Sequence, residues 1–508
     1  MNTLYKIIWG MLLVTGFTGC SKYLEEKSQD EVKPSTVAEL QQILMGEVYP
    51  AGSAQPSFHA YLDMMTDDVS SNFNPSKYAP DAYKRYEPIY TWRDDMFERV
   101  EAAKPIDAID TYEHYYHRIM GCNVVLDMID AVRGDHDGRE NVRGQALAMR
   151  SYFYFMLVNL YGQPYNAPGI DIHTSAGVEL ILTSVVGDAY PVRSSVAKIY
   201  EQVEADLLKA MPLLEQYGTN NSKYRATDVF VYNLLSRLYL YMEKWEEAKK
   251  YATLGLGRNA GLLRLASISK PYWDNEAPAT NVYNLNSPEL IWAGYGSTNE
   301  YKGMKLIPTG VPVFQVSPDL QSKYEYNANS TTNRGDLRLR FFHAWEYEDQ
   351  CCWTIPYIMT GGKESSKQTS SEPTKGMRVA ELYLNRAESN IQLYLKNNDE
   401  SLRTAALEDL NFLRFYRYDT RNVAYTPVNF SGQALLNFYR DERRRELSFE
   451  DHRWFDLRRY GMPEIHHKLQ TTAGQAPVDY VLAKGDKRYV LPFRRSVLAK
   501  NPALVPNP

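Results

Sequence analysis

Apolar residues recur every three to four positions through much of the chain, which is the spacing of one buried helix face. The pattern is strongest over 111–130 (TYEHYYHRIMGCNVVLDMID) and 141–162 (NVRGQALAMRSYFYFMLVNLYG), which predict a first helix pair. The same spacing returns over 194–214, 226–256, 378–396, 402–417 and 433–460. We therefore predict a mainly all-α fold of four helix pairs, near 111–162, 194–256, 378–417 and 433–460.

The second helix pair carries residues at the spacing of a tetratricopeptide repeat. The repeat's fixed offsets are occupied by Tyr232, Leu235, Ser236, Tyr239 and Ala248. Small residues at such positions let two helices approach closely, while large ones fill the groove between them. Because repeat units bury their faces only against neighbours, we predict a single domain over 37–508 rather than the three domains that the length suggests.

Two long stretches between the helical segments lack this periodicity. Residues 47–110 and 260–377 are rich in Pro, Gly, Asn, Ser, Tyr and Trp. Loops of this length are usually functional or disordered, and their aromatic content argues against disorder. We expect large irregular insertions that form a ligand-binding half, with short strands at 289–294 and 351–358.

The charge balance argues against a nucleic-acid partner. The chain has 57 Lys and Arg against 62 Asp and Glu, a formal net charge of −5, which gives no general attraction to nucleic acid or anionic lipid. The stretch RDERRRELSFEDHRWFDLRRYG (440–461) holds seven arginines, but six carboxylates are interleaved with them. Because a phosphate-binding stripe needs an excess of positive charge, we predict instead a charge-paired helix and turn packed on the body.

The N-terminus has the composition of an export signal. Lys6 precedes an apolar run (IIWGMLLVTGFTG) that is too short to span a bilayer, and Cys20 follows it. FTGC resembles the bacterial lipobox, with Phe17 where leucine is preferred, and the resemblance implies a lipid anchor on Cys20. A plain secretory signal with an incidental cysteine is the alternative. We expect a signal peptide at 1–19, a polar tether at 20–36 and a body that is soluble and tethered.

The other cysteines and the histidines form no pattern for a disulfide framework or a metal site. Cys122, Cys351 and Cys352 are too few for a disulfide scaffold, and we treat them as structural. His114 and His117 lie one helical turn apart but lack the glutamate and third ligand of an HExxH-type zinc site. We expect no cofactor and no metal; the loops hold enough aspartate for a structural Ca²⁺, but they lack EF-hand spacing.

Three segments together resemble the SusD/RagB family of outer-membrane nutrient-binding lipoproteins. They are GQALAMRSYFYFMLVNLYGQP (144–164), RVAELYLNRAES (378–389) and the arginine-rich stretch 440–461, in the family's order. The resemblance implies a fold in which four tetratricopeptide-like helix pairs pack against an irregular ligand-binding half. It also implies that the arginines of 440–461 pair with carboxylates of neighbouring helices.

The same resemblance implies a role at the cell surface. Family members sit as a lid over a TonB-dependent barrel transporter, capture glycans or in some branches peptides, and pass them through the barrel without chemistry on the substrate. The expected partners are a SusC-like transporter, a glycan and the outer membrane through the lipid anchor, with no nucleic acid. The acidic residues in KYLEE, just after Cys20, look like a surface-export signal, which implies a body that faces the cell exterior.

Candidate ligand-binding residues come from the two insertions, at positions that loosely match the site of the starch-binding members. Sugar rings have apolar C–H faces and polar edges, so a site needs flat aromatic rings and a few polar side chains. The candidates are Asp67, Tyr90, Trp92 and Asp95 in the first insertion, and Tyr272, Trp273, Trp292 and Tyr295 in the second. Asp95 stands where those members have asparagine, three positions after a tryptophan, which leaves the identity of the ligand open.

Two other classes of function stay open beside this one. A surface glycoside hydrolase needs two suitably spaced carboxylates. Because the chain has 62 Asp and Glu, some pair will meet this requirement, so such a pair does not by itself indicate a hydrolase. The sequence lacks GxSxG, Walker and GxGxxG motifs. A pure interaction scaffold would use its aromatic residues to bind protein. We favour a glycan-binding lipoprotein that is not an enzyme, with a peptide-binding member of the same family as the alternative.

Overall fold

The computed structural model describes most of the chain after the N-terminal segment. The described residues are 33–50, 58–75, 83–84, 86–103, 109–219, 222–268, 280–295, 313–330, 332–346, 358–361, 373 and 375–507, without the side chains of 344–346 and 358–361. Five residues singled out from the sequence lie outside these ranges: Cys20, Tyr272, Trp273, Cys351 and Cys352. Their predicted roles therefore stay predictions.

Helices dominate the described chain, which confirms the predicted fold class. In chain order they are α1 Val37–Ile43, α2 Glu87–Tyr90, α3 Met96–Ala102, α4 Thr111–Met128, α5 His136–Tyr161, α6 Val196–Tyr217, α7 Asp228–Tyr241, α8 Trp245–Arg258, α9 Pro318–Lys323, α10 Arg338–Phe341, α11 Val379–Asn397, α12 Glu400–Arg417, α13 Gly432–Leu447, α14 Arg453–Arg459 and α15 Arg495–Lys500. A π-helical turn, Leu44–Val48, extends α1, and 3₁₀ helices span Ala60–Met65, Leu265–Ser267 and Lys487–Tyr489.

The long helices form one stack. α4 packs on α5, α5 on α6, and α7 on α8; α8 then packs on α11, which follows the whole second insertion, and α11 packs on α12 and α13. Within the predicted repeat, the Ser236 hydroxyl on α7 donates a hydrogen bond to the Ala248 carbonyl on α8 (3.1 Å). Gly255 of α8 faces Leu382 of α11 so closely that an added Cβ would lie 2.8 Å from a leucine methyl carbon. Small residues therefore set the helix spacing at these two contacts.

Side-chain caps fix where several of these helices begin. Asp135 accepts a hydrogen bond from the Gly138 amide (2.6 Å), so α5 starts at His136, five residues before the predicted start. Thr227 caps α7 in the same way, through the Phe230 amide (3.3 Å). The predicted helical segment 226–256 is divided into α7 and α8 at Glu243, whose backbone has a φ of +57°.

The strands form antiparallel two-stranded sheets in the described parts of the chain. The pairs are β1 Val69–Ser71 with β5 Phe314–Val316, β2 Ala176–Glu179 with β3 Arg193–Ser195, β4 Leu290–Tyr295 with β8 Lys375–Arg378, β6 His343–Glu346 with β7 Ile358–Gly361, and β9 Ile465–Leu469 with β10 Val478–Leu482. β4 confirms the strand predicted at 289–294. The strand predicted at 351–358 lies outside the described residues except Ile358, the first residue of β7. The β1–β5 pair joins the two insertions.

An ion-pair cluster lies inside the C-terminal half of the protein. We call it the buried arginine cluster; its members are Arg338, Arg378, Arg414, Arg417, Glu289, Glu442, Glu446 and Glu450. Arg378 and Arg417 each approach the Glu446 carboxylate to 2.9 Å, and none of these three side chains has exposed surface. Burial alone would raise the pKa of Glu446, but Arg417, Arg378 and Arg338 outweigh it and lower the pKa to about 2. Glu446 is therefore held as a carboxylate.

The arginine-rich stretch 440–461 has the structural role that the sequence indicated. Arg459 pairs with Glu388 of α11 at 2.6 Å, which confirms pairing with a neighbouring helix. Arg444 reaches farther along the chain, to Asp68 at 2.6 Å. Arg453 makes a two-pronged pair with Asp67, at 2.7 and 2.8 Å. These contacts fasten α13 and α14 to the segment just before β1.

Candidate functional site

Three of the candidate ligand-binding residues lie in one short segment next to the C-terminal hairpin. α2 ends at Tyr90, the chain turns through Trp92, and α3 begins just after Asp95. Hairpin β9–β10 packs on this turn from a position almost 400 residues later, because the His467 Nδ1 atom lies 2.6 Å from the Tyr90 carbonyl oxygen. The candidate site is therefore built from the two ends of the chain.

A three-ring stack forms the floor of this site. The imidazole of His467 lies between Tyr90, with centroids 4.0 Å apart, and Trp92, with centroids 4.2 Å apart. The Trp92 indole N–H donates a hydrogen bond to the Met65 carbonyl (2.9 Å). The backbone of Trp92 has a φ of +51°, a rare conformation for a bulky residue that costs about 1–3 kcal/mol. The stack and the indole hydrogen bond hold Trp92 in that strained position.

His467 is kept neutral by its surroundings. Burial lowers the pKa of His467 to about 4. The carbonyl oxygens of Tyr90 and Thr66 favour the protonated ring and oppose this shift, but burial outweighs them. These oxygens lie 2.6 and 2.9 Å from its two ring nitrogens. A neutral imidazole carries one N–H, so one of the two contacts is a hydrogen bond at a time. The strand alternation places His466 outward, where it pairs with Glu464 and Asp479.

The predicted aromatic rings do not form an open stacking surface. Tyr90 and Trp92 are 1% exposed, Trp292 is 0% and Tyr295 is 2% exposed. Trp292 packs edge-on against Tyr152 and Phe230 in the core. These four rings therefore present no open face to a ligand in this structure, because burying large flat rings in the core is favourable. Their predicted role as ligand contacts stays a prediction.

The two predicted aspartates are engaged by arginines. Asp67 is held by Arg453 in an ion pair, and its predicted role as a ligand contact stays a prediction. Asp95 accepts a hydrogen bond from Arg99 at 2.8 Å and keeps 38% of its side chain exposed. Asp95 therefore lies at the edge of the site, where it orients Arg99 and faces Arg93 at 3.6 Å.

Half-buried tyrosines lie on the outer side of the three-ring stack. Tyr480 is paired with His467 across the β9–β10 hairpin, and directly paired residues in antiparallel strands point to the same face. Tyr83 lies against Phe73, with centroids 4.6 Å apart. Burial raises the pKa of Tyr480; the charges of Glu87 and Tyr83 add to the rise, and the charge of Arg93 opposes it. The two tyrosine hydroxyls have no hydrogen-bond partner within the described ranges.

A pocket of about 150 Å³ opens beside Trp92. One edge of Trp92 forms its wall together with Arg93, Asp94 and Arg488, and the remaining lining is Met65, Met96, Val490, Pro492 and Asn507. Arg488 is fixed by a two-pronged pair with Asp486 (2.7 and 3.0 Å). Arg93 has 40% of its side chain exposed and reaches Glu87 only at 3.8 Å. Arg93 borders both the pocket and the tyrosines.

We call this region the Arg93 surface; it consists of Tyr83, Glu87, Arg93, Asp94, Tyr480 and Arg488. It combines half-exposed rings, two guanidinium groups and two carboxylates around a small opening. Such a set offers apolar faces for C–H groups and donors and acceptors for hydroxyls. The pocket is smaller than the roughly 300–1,000 Å³ of a complete small-molecule site, so it has room for only a part of a larger molecule.

Sequence reasoning found the segment but missed the exposed residues within it. Tyr83 sits seven positions before Tyr90 in the same insertion, and only tertiary packing decides which of the two rings is buried. Tyr480 comes from the C-terminal hairpin, where the turn at Gly474 between two β-rich runs was the available signal. Arg488 comes from the 3₁₀ helix Lys487–Tyr489 that follows the hairpin.

A second cavity is too small to be a ligand site. Its volume is about 20 Å³, and it is lined by polar groups that include His59, Lys375 and Asp451. That space holds about one water molecule. Among the described residues no group of three or more His, Cys, Asp or Glu is arranged to hold a metal ion. His114 and His117 contact different carboxylates, Asp110 and Glu47.

Two family models match the chain in consecutive parts. Residues 22–240 match a family described as starch-binding and associating with the outer membrane, and residues 289–508 match the SusD family. A SusD-like protein from Formosa agariphila is 24% identical over 431 residues, which covers 77% of this chain and 78% of that protein.

Solved structures show the same fold along nearly the whole chain. A SusD-like carbohydrate-binding protein from Bacteroides vulgatus superposes with a TM-score of 0.65 at 20% identity, covering 93% of this chain and 98% of its own. A SusD superfamily protein from Bacteroides thetaiotaomicron gives a TM-score of 0.66 at 22% identity, covering 93% of this chain and 100% of its own. With its helical stack, its arginine-rich stretch and the two consecutive family matches, this chain belongs to the SusD/RagB family.

Proposed function

We propose that this protein is a cell-surface lipoprotein that binds a glycan on the Arg93 surface and delivers it to a TonB-dependent outer-membrane transporter. The observation that carries the proposal is a loosely paired, 40% exposed arginine, Arg93, which lines the pocket beside Trp92. Two half-buried tyrosines, Tyr83 and Tyr480, lie on neighbouring elements. The family descriptions, starch-binding and outer-membrane association, support it. No chemistry on the glycan is part of the proposal.

The physical basis is the match between this surface and a sugar ring. The rings of Tyr83 and Tyr480 offer apolar faces to the C–H side of a sugar, and their hydroxyls, like the Arg93 guanidinium, are available to its polar edge. The stack beneath them is ordered before any ligand binds, so little conformational entropy is lost on binding. One sugar unit of the glycan enters the Trp92 pocket, and the rest of the glycan lies across the two tyrosines.

The charges around Asp95, at the edge of the site, make this residue a poor candidate for the acid of a glycosidase. A glycosidase needs one carboxyl whose pKa is raised so that it can act as an acid. Slight burial raises the pKa of Asp95, but Arg99 and Arg93 outweigh it and lower the pKa. Asp95 is therefore a poor proton donor. A peptide ligand is the remaining alternative, because Arg93 and Arg488 also suit a peptide carboxylate.

The localisation follows from the N-terminal sequence and the family description. The lipid anchor at Cys20 is inferred from FTGC and lies outside the described residues. In the described part of the chain, no helix is both long enough and apolar enough to cross a membrane. A family associated with the outer membrane is compatible with attachment through an acyl chain.

The test is calorimetric titration of residues 21–508 with a panel of oligosaccharides and oligopeptides, using the wild type and Tyr83→Ala, Tyr480→Ala and Arg93→Ala. We expect one glycan class to bind and each variant to lose about 10-fold in affinity or more, because each removes a central contact. Tyr190→Ala removes an exposed tyrosine of another loop and serves as the matched control. Binding that survives in all three variants would place the site elsewhere, and binding of peptides alone would favour the peptide alternative.

A further inference from the structure

Arg458 is a buried arginine that has no carboxylate partner within the described ranges. Only 3% of the residue is exposed. Its Nη2 atom donates a hydrogen bond to the Gly162 carbonyl, just after α5, while Nε and Nη1 have no partner in the described part of the chain. An arginine carries five N–H donors and stays protonated at neutral pH. A guanidinium charge is therefore enclosed with most of its donors unused.

Arg459, the next residue, shows how this stretch normally treats a buried arginine. Arg459 pairs with Glu388 at 2.6 Å. Burial tends to lower the pKa of Arg459, but nearby anionic groups, Glu388 first among them, outweigh it and raise that pKa. For Arg458 burial prevails and lowers the pKa to about 10, and the groups that oppose the shift are the phenols of Tyr200 and Tyr241. Among the described residues no carboxylate compensates the charge of Arg458.

The carbonyl end of α5 offsets this charge in part. The aligned peptide dipoles of a long helix place about half a negative charge at its C-terminus, and α5 has 26 residues. A charge taken out of water stays costly unless a full counter-charge and hydrogen bonds meet it. About half of the Arg458 charge is therefore left to be neutralised by a group from outside the described chain.

Two further buried donors without a partner lie beside Arg458. Trp454 stands four positions earlier on the same face of α14 and is 1% exposed. Tyr241, the last residue of α7, is 4% exposed and packs on α14, since the Arg459 guanidinium carbon lies 5.7 Å from its ring centroid. The Trp454 indole N–H and the Tyr241 hydroxyl have no hydrogen-bond partner in the ranges that the structure describes. Donors without an acceptor are the composition of an anion site.

We propose that Arg458 binds one chloride ion inside the protein through Nε and Nη1, with the Trp454 indole N–H and the Tyr241 hydroxyl beside the ion. The ion supplies the missing counter-charge. Because the three side chains are almost completely buried, the anion must be small. Because one guanidinium balances one negative charge, the anion is monovalent. This site is separate from the Arg93 surface and does not depend on the proposed glycan role.

The first test is thermal melting of residues 21–508 refolded from urea in sodium chloride or in sodium gluconate at equal ionic strength. Refolding lets the ion enter before the site closes. Chloride is expected to raise the melting temperature by at least about 2 °C over gluconate, because an ion that binds only the folded chain stabilises it by mass action. Arg458→Met should abolish this difference. Arg99→Met, at an exposed arginine, is the matched control and should keep it.

A second test locates the ion with bromide, which replaces chloride and scatters X-rays anomalously. Crystals of wild type refolded in sodium bromide should show an anomalous peak within hydrogen-bonding distance of the Arg458 guanidinium, and crystals of Arg458→Met should lack it. Replacing an unpaired buried charge by an apolar side chain is often tolerated, so this variant is expected to fold. If it does not fold, the wild-type peak decides alone.

Two results would overturn the inference. One is a wild-type crystal in which Arg458 contacts ordered water and no bromide. The other is a chloride effect on the melting temperature that is equally large in the wild type and in Arg458→Met, which would make it a general salt effect.

Discussion

The protein uses arginine in two opposite ways in two regions. In the buried arginine cluster, Arg378 and Arg417 share the Glu446 carboxylate and have no exposed side-chain surface. On the Arg93 surface, Arg93 is 40% exposed and its nearest carboxylates lie at 3.6 and 3.8 Å. A buried pair is costly to break because the remaining charge is left without a partner. A loose, solvated pair costs little to break, so its guanidinium is available to a ligand.

In this protein a high local density of arginine marks the interior. The seven arginines of 440–461 are the most conspicuous charges in the sequence, and the contacts of Arg443, Arg444, Arg453 and Arg459 are ion pairs within the fold. Arg93 stands in an unremarkable segment. Arg93 has its proposed role because it lines a pocket.

The largest effect is expected for Arg417→Ala in the buried arginine cluster. The change leaves Glu446 and Glu289 with one guanidinium fewer in a fully buried site, so the free energy of unfolding should fall by about 3–5 kcal/mol. Urea unfolding followed by circular dichroism measures it. Arg99→Ala, at an exposed pair with Asp95, is the control and should change the free energy by less than about 1 kcal/mol. Equal losses in the two variants would contradict the comparison.

The next effect is a pH dependence that arises from His467. Its pKa is about 4 in the folded protein against an ordinary value of 6.5, so the unfolded chain takes up the proton first. The stabilisation is therefore complete above about pH 6.5 and is lost as the pH falls towards 4, by on the order of 3 kcal/mol. His467→Phe should flatten the pH dependence of the unfolding free energy between these values. His466→Phe should not flatten it, because Glu464 and Asp479 raise the pKa of His466 and its contribution has the opposite sign. The same slope in all three proteins would show that another group is responsible.

A smaller loss of stability is expected for Arg444→Ala, and a similar one for Arg453→Ala. Each change removes an ion pair that fastens α13 or α14 to Asp67 and Asp68, and partial exposure of Asp67 moderates the cost to about 2 kcal/mol. Ligand preference should stay as in the wild type, because neither arginine belongs to the Arg93 surface. A variant that melts like the wild type but no longer binds its glycan would contradict this assignment.

The smallest effect on stability is expected for Arg93→Ala, which should change the unfolding free energy by less than about 0.5 kcal/mol. Its glycan affinity should fall by about 10-fold, since the guanidinium borders both the pocket and the tyrosines. Thermal melting and calorimetric titration of the same sample separate the two properties. A large loss of stability with unchanged affinity would remove the contrast between the two regions.

The sequence was most informative where local rules apply. Helical periodicity located α4 to α8 and α11 to α13, and the offsets of Ser236 and Ala248 identified a helix pair whose contact the structure shows. It was least informative about which aromatic rings face water. Trp92 and Tyr90 are rings of an irregular segment, and their burial depends on His467, which lies 377 positions after Tyr90.

Local sequence was enough to predict the helices and the balance of charges in 440–461, because helix periodicity and charge composition are properties of residues close in the chain. The carboxylates with which those arginines pair, such as Asp68 and Glu388, are set by long-range packing. Only the tertiary structure decided the candidate site. The C-terminal hairpin packs on the first insertion, turns Tyr90 and Trp92 inward and leaves Tyr83, Tyr480 and Arg93 at the surface. Contacts between residues so far apart in the chain depend on how helices, strands and loops pack together in one core, and no short stretch of the chain carries that information.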